Sequence, residues 1–174
     1  MPARFLKDAL AEVPGPRAKS PTGEYFPFST EQLIHQSLLK SPHRTRNASA
    51  ATLFFVPSYT SALLAGRERN QTARDRARRL ALDAVDHVTR AHPFWARSGG
   101  RDHVLTFTHH NGRCMDISPE RALLEPLHQE LANKTRLAIV LSHSGDPHSG
   151  CVDPARTVVV PPRVLVAPGS CPPP

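Results

Sequence analysis

Four short apolar runs constrain the fold of this chain more than any other feature. They are Thr52-Leu-Phe-Phe-Val56, His103-Val-Leu-Thr-Phe-Thr108, Leu137-Ala-Ile-Val-Leu141 and Thr157-Val-Val-Val160. Each is five or so residues of β-branched, aromatic or leucine side chains, the length and composition of a strand and not of a helix. The first is apolar throughout and stopped by Pro57, which predicts a strand buried on both faces.

Segments with helical spacing lie among these runs. From Thr72 to Ala91 the residues Ala73, Ala77, Leu80, Ala81, Ala84, Val85 and Val88 form one stripe, and Arg74, Arg76, Arg78 and Arg79 are expected to project away from it. A second helix is predicted from Ser118, with Pro119 in its first turn, to about Asn133. A third starts at the capping-box sequence Ser29-Thr-Glu-Gln32 and runs to about Lys40, before Pro42. Strands alternating with amphipathic helices give an α/β fold: a Rossmann-like parallel sheet flanked by helices, with right-handed crossovers. Three parts follow: a loop-rich segment 1–28, a Rossmann-like domain 29–164 and a Pro-rich tail 165–174.

The 174 residues carry a net charge of +7. Much of the excess is local, in Arg67, Arg69, Arg74, Arg76, Arg78 and Arg79. No aromatic residues interleave with them, so they read as a solvated helix face and the expected partners do not include nucleic acid. No run of about twenty apolar residues is present to span a bilayer, so any membrane attachment depends on an anchor absent from this chain. The three cysteines, Cys114, Cys151 and Cys171, lack zinc-site spacing. An oxidising lumen would permit a Cys114–Cys151 bridge. Asn47, Asn70 and Asn133 each begin an Asn-X-Ser/Thr sequence and are candidate glycosylation sites in a secretory compartment.

Polar residues crowd beyond two strand ends. His109, His110, Asn111, Arg113 and Asp116 follow the second run, and Ser142, His143, Asp146 and His148 follow the third. In open parallel sheets ligands bind beyond the carboxyl ends of the strands. If the two strands are neighbours, both turns line one wet rim, a functional-site pattern. His110, Asp116 and Asp146 are the candidate catalytic groups, and His109, Asn111, Arg113 and His143 the candidate substrate-binding groups. Arg101 and Asp102 precede the second strand at its other end. They read as a structural pair bracing the Gly99-Gly100 turn, with Phe94 and Trp95 packed beneath.

The run Pro93-Phe-Trp-Ala-Arg-Ser-Gly-Gly-Arg-Asp-His103 resembles the PYWNRSGGRDH signature of the exostosin-like glycosyltransferases, family 47. In the same order come Glu31-Gln-Leu-Ile-His35, Ser41-Pro-His-Arg-Thr45, Ala51-Thr-Leu-Phe-Phe-Val-Pro57, Leu141-Ser-His-Ser-Gly-Asp146, Cys151-Val-Asp-Pro154 and Val159-Val-Pro-Pro162. The resemblance covers roughly residues 23 to 164. It implies the N-terminal, acceptor-side half of a glycosyltransferase B fold, and inverting transfer of a sugar from a nucleotide-sugar to a glycan acceptor. By the same likeness the protein works in the Golgi or endoplasmic reticulum lumen, as part of a type II membrane protein. No cofactor is expected on this half. The nucleotide-sugar donor, a UDP-sugar, is expected on a donor-binding C-terminal domain beyond it, and the chain alone is expected to be inactive.

Where many relatives read His-Asp-x-Gly, this sequence has His109-His110-Asn111-Gly112, so the acidic residue is replaced by His110. An inverting transferase needs a general base for the acceptor hydroxyl, and a histidine can serve, its unperturbed pKa being near 6.5. Asp116 and Asp146 are the other candidates for that role. Two alternatives of different class use the same residues: a metal-dependent hydrolase with His/Asp ligands on the rim, and a non-enzymatic module binding anionic glycans. No metal-binding motif is present, so no metal site is assigned.

Overall fold

The computed structural model describes residues 30–64, 70–109, 111–115 and 122–162. In chain order the helices and strands are α1 (Thr30–Lys40), β1 (Phe54–Val56), α2 (Thr60–Leu64), α3 (Gln71–Ala91), α4 (Phe94–Ser98), β2 (His103–Phe107), α5 (Pro126–Lys134), β3 (Ile139–Ser142) and β4 (Thr157–Val159). The four strands form one parallel sheet in the order β1-β2-β3-β4. This is the α/β, Rossmann-like sheet with flanking helices that the alternation of runs predicts.

Because the strands are laid down in sequence order, every right-handed crossover steps in the same direction, which places the crossover helices on one face. The core lies there. Ala77, Ala81, Leu82 and Val85 of α3 and Leu131 of α5 join Val56, Leu105, Phe107 and Val140 in a single buried cluster. The strand members alternate with residues of the opposite face, as the pleat requires. Full burial of a side chain such as Leu105, 0% exposed, contributes about 2 kcal/mol over leaving it in water. On the other face Phe55, Val104, Ile139 and Leu141 are half-buried. There α1 reaches the sheet through His35, whose ring centroid is 5.5 Å from that of Phe55.

Several local expectations are corrected. The first strand is not central: among the described residues it lies at the sheet edge, and both Phe54 and Phe55 are half-buried. The apolar run there marks a strand and a packed edge, not two covered faces. The helix expected from Ser118 to Asn133 is interrupted: Ala122 is helical, residues 123–124 turn, Glu125 is extended, and a separate helix starts at Pro126. Proline cannot donate to the preceding turn and disfavours helical backbone in the residue before it, so a new helix begins at Pro126. Residues 116–121 lie outside the described residues, as do the predicted segments 1–28 and 165–174.

The third correction concerns charge. Arg74, Arg76 and Arg79 are partly or fully exposed, but Arg78 is completely buried. It sits three residues before Ala81 and four before Leu82, so the 3.6-residue period carries it onto the edge of the apolar face. Two of its guanidinium nitrogens are matched there: Nη2 donates to the Cys114 carbonyl at 2.9 Å and Nη1 to the Asp75 carboxylate at 3.3 Å. Cys114 is itself bonded to Cys151, with Cα atoms 5.5 Å apart. Arg78 and the disulfide thus hold the turn after β2 to α3 on one side and to the connection between β3 and β4 on the other.

The glycine turn before β2 is braced differently from the sequence reading. Asp102 does not pair with Arg101. It accepts from Arg97 at 3.0 Å, from Ser98 at 2.5 Å and from His103 Nδ1 at 2.8 Å, while Arg101 donates to the Ser98 carbonyl at 3.3 Å. Partial burial pushes the Asp102 carboxyl up, but the bonds from Ser98, Arg97 and His103 outweigh it and hold it down at about 2. Trp95 packs beneath, its ring 4.6 Å from that of His103, in agreement with the expected placement.

Two predictions follow from these contacts. Gly100 has a φ of +88°, and a Cβ there would lie 2.8 Å from the Trp95 ring. Gly100→Ala should lower the unfolding free energy by about 2 kcal/mol or more through combined strain and clash. An unchanged urea midpoint would show the turn to be malleable. Arg78→Met keeps the bulk but strips the Cys114 carbonyl of its donor, with an expected loss of about 2 kcal/mol, read by the same titration. Arg79→Met, on the exposed side, should change little.

Candidate functional site

Parallel pairing carries the site. β2 and β3 are in register from Val104↔Ile139 to Phe107↔Ser142, so the chain leaves both strands at the same level and at the same edge of the sheet. His109 follows β2 by two residues and His143 follows β3 by one. Both are half-buried. The shared rim expected from the two turns is therefore present, and a third turn, after β1, joins it.

Hydroxyl-bearing residues fill the inner side of this rim. Ser58, Thr60, Ser61 and Thr108 are 0 to 1% exposed. Ser58 Oγ donates to the Thr106 carbonyl at 3.2 Å, tying the turn after β1 to β2, and Thr108 Oγ1 donates to Ser61 Oγ at 3.2 Å. Tyr59 takes a φ of +52°, a conformation that costs a bulky side chain of order 1–3 kcal/mol and persists only where neighbours fix it. Those neighbours include His35, whose Nδ1 is hydrogen-bonded to the Tyr59 hydroxyl.

The amino end of α1 closes the cluster with a residue not assigned to the site from sequence. Glu31 is 2% exposed. Its carboxylate accepts from the Thr60 hydroxyl at 3.4 Å, the Ser61 amide at 3.3 Å and the Ser61 hydroxyl at 3.3 Å, and a backbone hydrogen bond from Thr108 adds to these. Burial pushes the Glu31 carboxyl up to about 8, against the pull of those donors. Next to it, Thr30 Oγ1 lies 3.2 Å from His143 Nε2. One short stretch, Thr30-Glu31, thus contacts the turns after β1, β2 and β3. Glu31 stood in the sequence as a capping-box position and in a block of family likeness. A surface-favouring residue gives no sign of burial until the fold closes around it.

The other expected site residues are placed as follows. Asn111 is half-buried just before the short 3-10 turn Gly112–Cys114. Gly112 belongs there because a Cβ would meet Ser142 Oγ at 3.0 Å, at a φ of +51°. Arg113 turns its guanidinium into the fold, donating to Thr135 Oγ1 at 3.4 Å. Burial lowers its pKa, with Asp153 opposing. Through this bond Arg113, expected from sequence to meet substrate, also braces the rim turn against the end of α5. Asp146 is exposed and caps the turn Pro147–Ser149, accepting from the His148 amide at 2.9 Å. His110 and Asp116 lie outside the described residues. Among the described residues no group of three or more His, Cys, Asp or Glu side chains is arranged to hold a metal ion, and no helix is long and apolar enough to cross a membrane.

A Rossmann-like parallel sheet with a polar rim at its carboxyl edge is an α/β fold of the class in which ligands bind beyond the strand ends. Comparison with known proteins narrows that class. The family model of the Exostosin GT47 domain matches residues 1–158, and the chain belongs to this exostosin-like glycosyltransferase family. A probable glucuronosyltransferase of Oryza sativa subsp. japonica is 33% identical over 137 residues, 79% of this chain and 31% of that protein. The probable glucuronoxylan glucuronosyltransferase IRX7 of Arabidopsis thaliana is 31% identical over 166 residues, 94% of this chain and 34% of its own length. The probable beta-1,4-xylosyltransferase IRX10 of the same plant is 27% identical over 123 residues, 71% of this chain and 28% of its own. This chain thus spans about a third of the length of the curated relatives it matches. No solved structure matches it.

The buried carboxyl gives a pH signature. A folded pKa of about 8 against an unfolded value of 4.5 means that the native state keeps a proton the unfolded chain has released. The stability Glu31 contributes is fully present below pH 4.5 and is lost as pH rises towards 8. His35, His103 and His128, whose pKa values burial lowers, act oppositely below about 6.5. The measurement is therefore the difference in thermal midpoint between the native chain and Glu31→Gln, which should shift in favour of Glu31→Gln as pH rises from about 5 to 8. A difference that stays constant across that window would place the titration elsewhere.

Proposed function

We propose that this chain supplies the acceptor-side domain of an inverting family-47 glycosyltransferase. The observation that carries the reading is the rim shared by the turns after β2 and β3, which brings His109 and His143 to one edge. Three relatives are named for glucuronosyl or xylosyl transfer, which supports a xylan-like acceptor. Half-buried imidazoles beside buried hydroxyls suit neutral polyols, which need many directional hydrogen bonds and no counter-charge.

In this reading the acceptor lies across the rim, held by His109, Asn111 and His143. A general base removes the proton of its attacking hydroxyl as the oxygen bonds to the anomeric carbon and the nucleoside diphosphate leaves from the opposite face. His110 takes the position that is acidic in many relatives and is the first candidate for that base. Asp116 and the exposed Asp146 follow. The donor, a UDP-sugar, is bound outside this domain, by the part of a family-length protein that the match does not cover. The protein operates in the Golgi or endoplasmic reticulum lumen. The Cys114–Cys151 bond supports an oxidising compartment, where such bonds persist.

Glycosylation at Asn47, Asn70 and Asn133 belongs to the same proposal. All three asparagines are exposed. Asn47 and Asn70 use Oδ1 to cap the turns that follow, accepting from the Ser49 and Ala73 amides, while a glycan would attach through Nδ2. Capping and modification are therefore compatible.

Calorimetric titration of the 174-residue chain with xylohexaose tests the reading. Weak, saturable binding is expected, reduced about tenfold by His143→Ala through loss of hydrogen bonding. The chain alone should transfer no sugar from UDP-xylose or UDP-glucuronic acid. Absence of heat with any xylo-oligosaccharide would end the acceptor-side reading, and turnover by the chain alone would overturn the division of labour.

A further inference from the structure

We propose that Glu31 is a positioning residue for the acceptor rim, setting the relative placement of the three turns that bear His109, His143 and the hydroxyls of Thr60 and Ser61. The proposal rests on the acceptor-side reading for its functional consequence, and on geometry alone for its structural one. The hydrogen bonds place Glu31 between the turns after β1 and β2, and its neighbour Thr30 against the turn after β3. Its two carboxylate oxygens gather the Thr60 hydroxyl and both the amide and hydroxyl of Ser61. Thr108, which also donates to Ser61 Oγ, stands immediately before His109. Thr30, immediately before Glu31, lies against the His143 imidazole. His109 is thus one residue away from a backbone group that Glu31 holds, and the His143 ring is itself held by the neighbouring Thr30.

A carboxyl with 2% exposure does not meet a glycan. It acts through the turns it anchors, and it is replaceable in fold terms by a group of the same shape. Its hydrogen-bond partners among the described residues are neutral donors, an arrangement that fixes geometry by direction more than by charge. The titratable side chains facing this region are Tyr59 and His35, which are hydrogen-bonded to each other, together with His109 and His143 on the neighbouring turns. Tyr59 is raised by burial and by the Glu31 charge, whereas His35 is lowered by burial and by Arg44.

The test uses the whole chain in three forms: native, Glu31→Gln and Glu31→Asp. Imidazole Cε1–H resonances of His109 and His143 are followed by NMR, and xylohexaose binding by calorimetry. Glu31→Gln keeps the side-chain shape but replaces a carboxyl, whose single proton can sit on either oxygen or leave, by an amide whose two N–H donors are fixed on one side, facing hydroxyls and an amide. It should shift both imidazole resonances and weaken binding roughly tenfold. Glu31→Asp, which keeps the carboxylate, should restore part of both. If Glu31→Gln folds with native His109 and His143 resonances and native binding, the proposal is overturned even if its thermal midpoint falls, because Glu31 would then support the fold without setting the rim. If Glu31→Gln does not fold, the native chain decides: His109 and His143 resonances should show a common inflection as Glu31 titrates, and independent titration curves would overturn the proposal. Should the native chain bind no oligosaccharide, the acceptor-side reading fails while the resonances still judge the role of Glu31.

Discussion

The parallel pairing of β2 with β3 is the constraint on which the rest depends. Each backbone bond between them is modest, but buried amides and carbonyls left unpaired would cost far more than the bonds return. The pairing is therefore fixed once the apolar faces of Leu105, Phe107 and Val140 are buried together. A slip of one residue would turn that face outward. Register then shapes the rim: with Phe107 opposite Ser142, two histidine-bearing turns leave the sheet side by side.

The two ends of β2 are built for different tasks. At its amino end stands the glycine-rich signature, where Arg97, Ser98 and His103 converge on Asp102 and the Trp95 ring underlies Gly100. The Arg97 guanidinium also stands over Phe54 and Phe94, 5.8 and 5.3 Å from their ring centroids. Every polar group named there bonds to another within the same turn, and that end is remote from the carboxyl rim. The motif that most clearly marks the family is thus an architectural brace. At the carboxyl end the partners are hydroxyls, imidazoles and a buried carboxyl, groups that can exchange partners with a bound polyol.

Buried charge links the carboxyl end to the covalent scaffold. Arg78 reaches the carbonyl of Cys114, and Cys114 is bonded to Cys151. The bond closes a loop across a sequence separation of 37 residues, a constraint on the unfolded chain of roughly 4 kcal/mol. The turn after β2 is consequently held from below by α3, from the side by the β3–β4 connection, and through Arg113 by the end of α5. Glu31 approaches from the opposite side, with α1. A rim made of short loops acquires fixed geometry because each loop is tied to a different rigid element.

The order of apolar runs, the punctuation by proline and the capping residues were enough to define strands, helices and the parallel class, because these depend on local chemistry and on periodicity. The shared rim was legible for the same reason, since parallel neighbours must end at one edge. What only the tertiary structure decided was the fate of individual polar side chains. Arg78 lies at the border of a helical stripe, where a few degrees of rotation separate solvent from core. Asp102 had five possible cationic or hydroxyl partners within five residues, and Glu31 fits the first turn of a helix equally well whether that turn faces water or other loops. Burial is a property of what packs against a residue from elsewhere in the chain, and no local pattern encodes it.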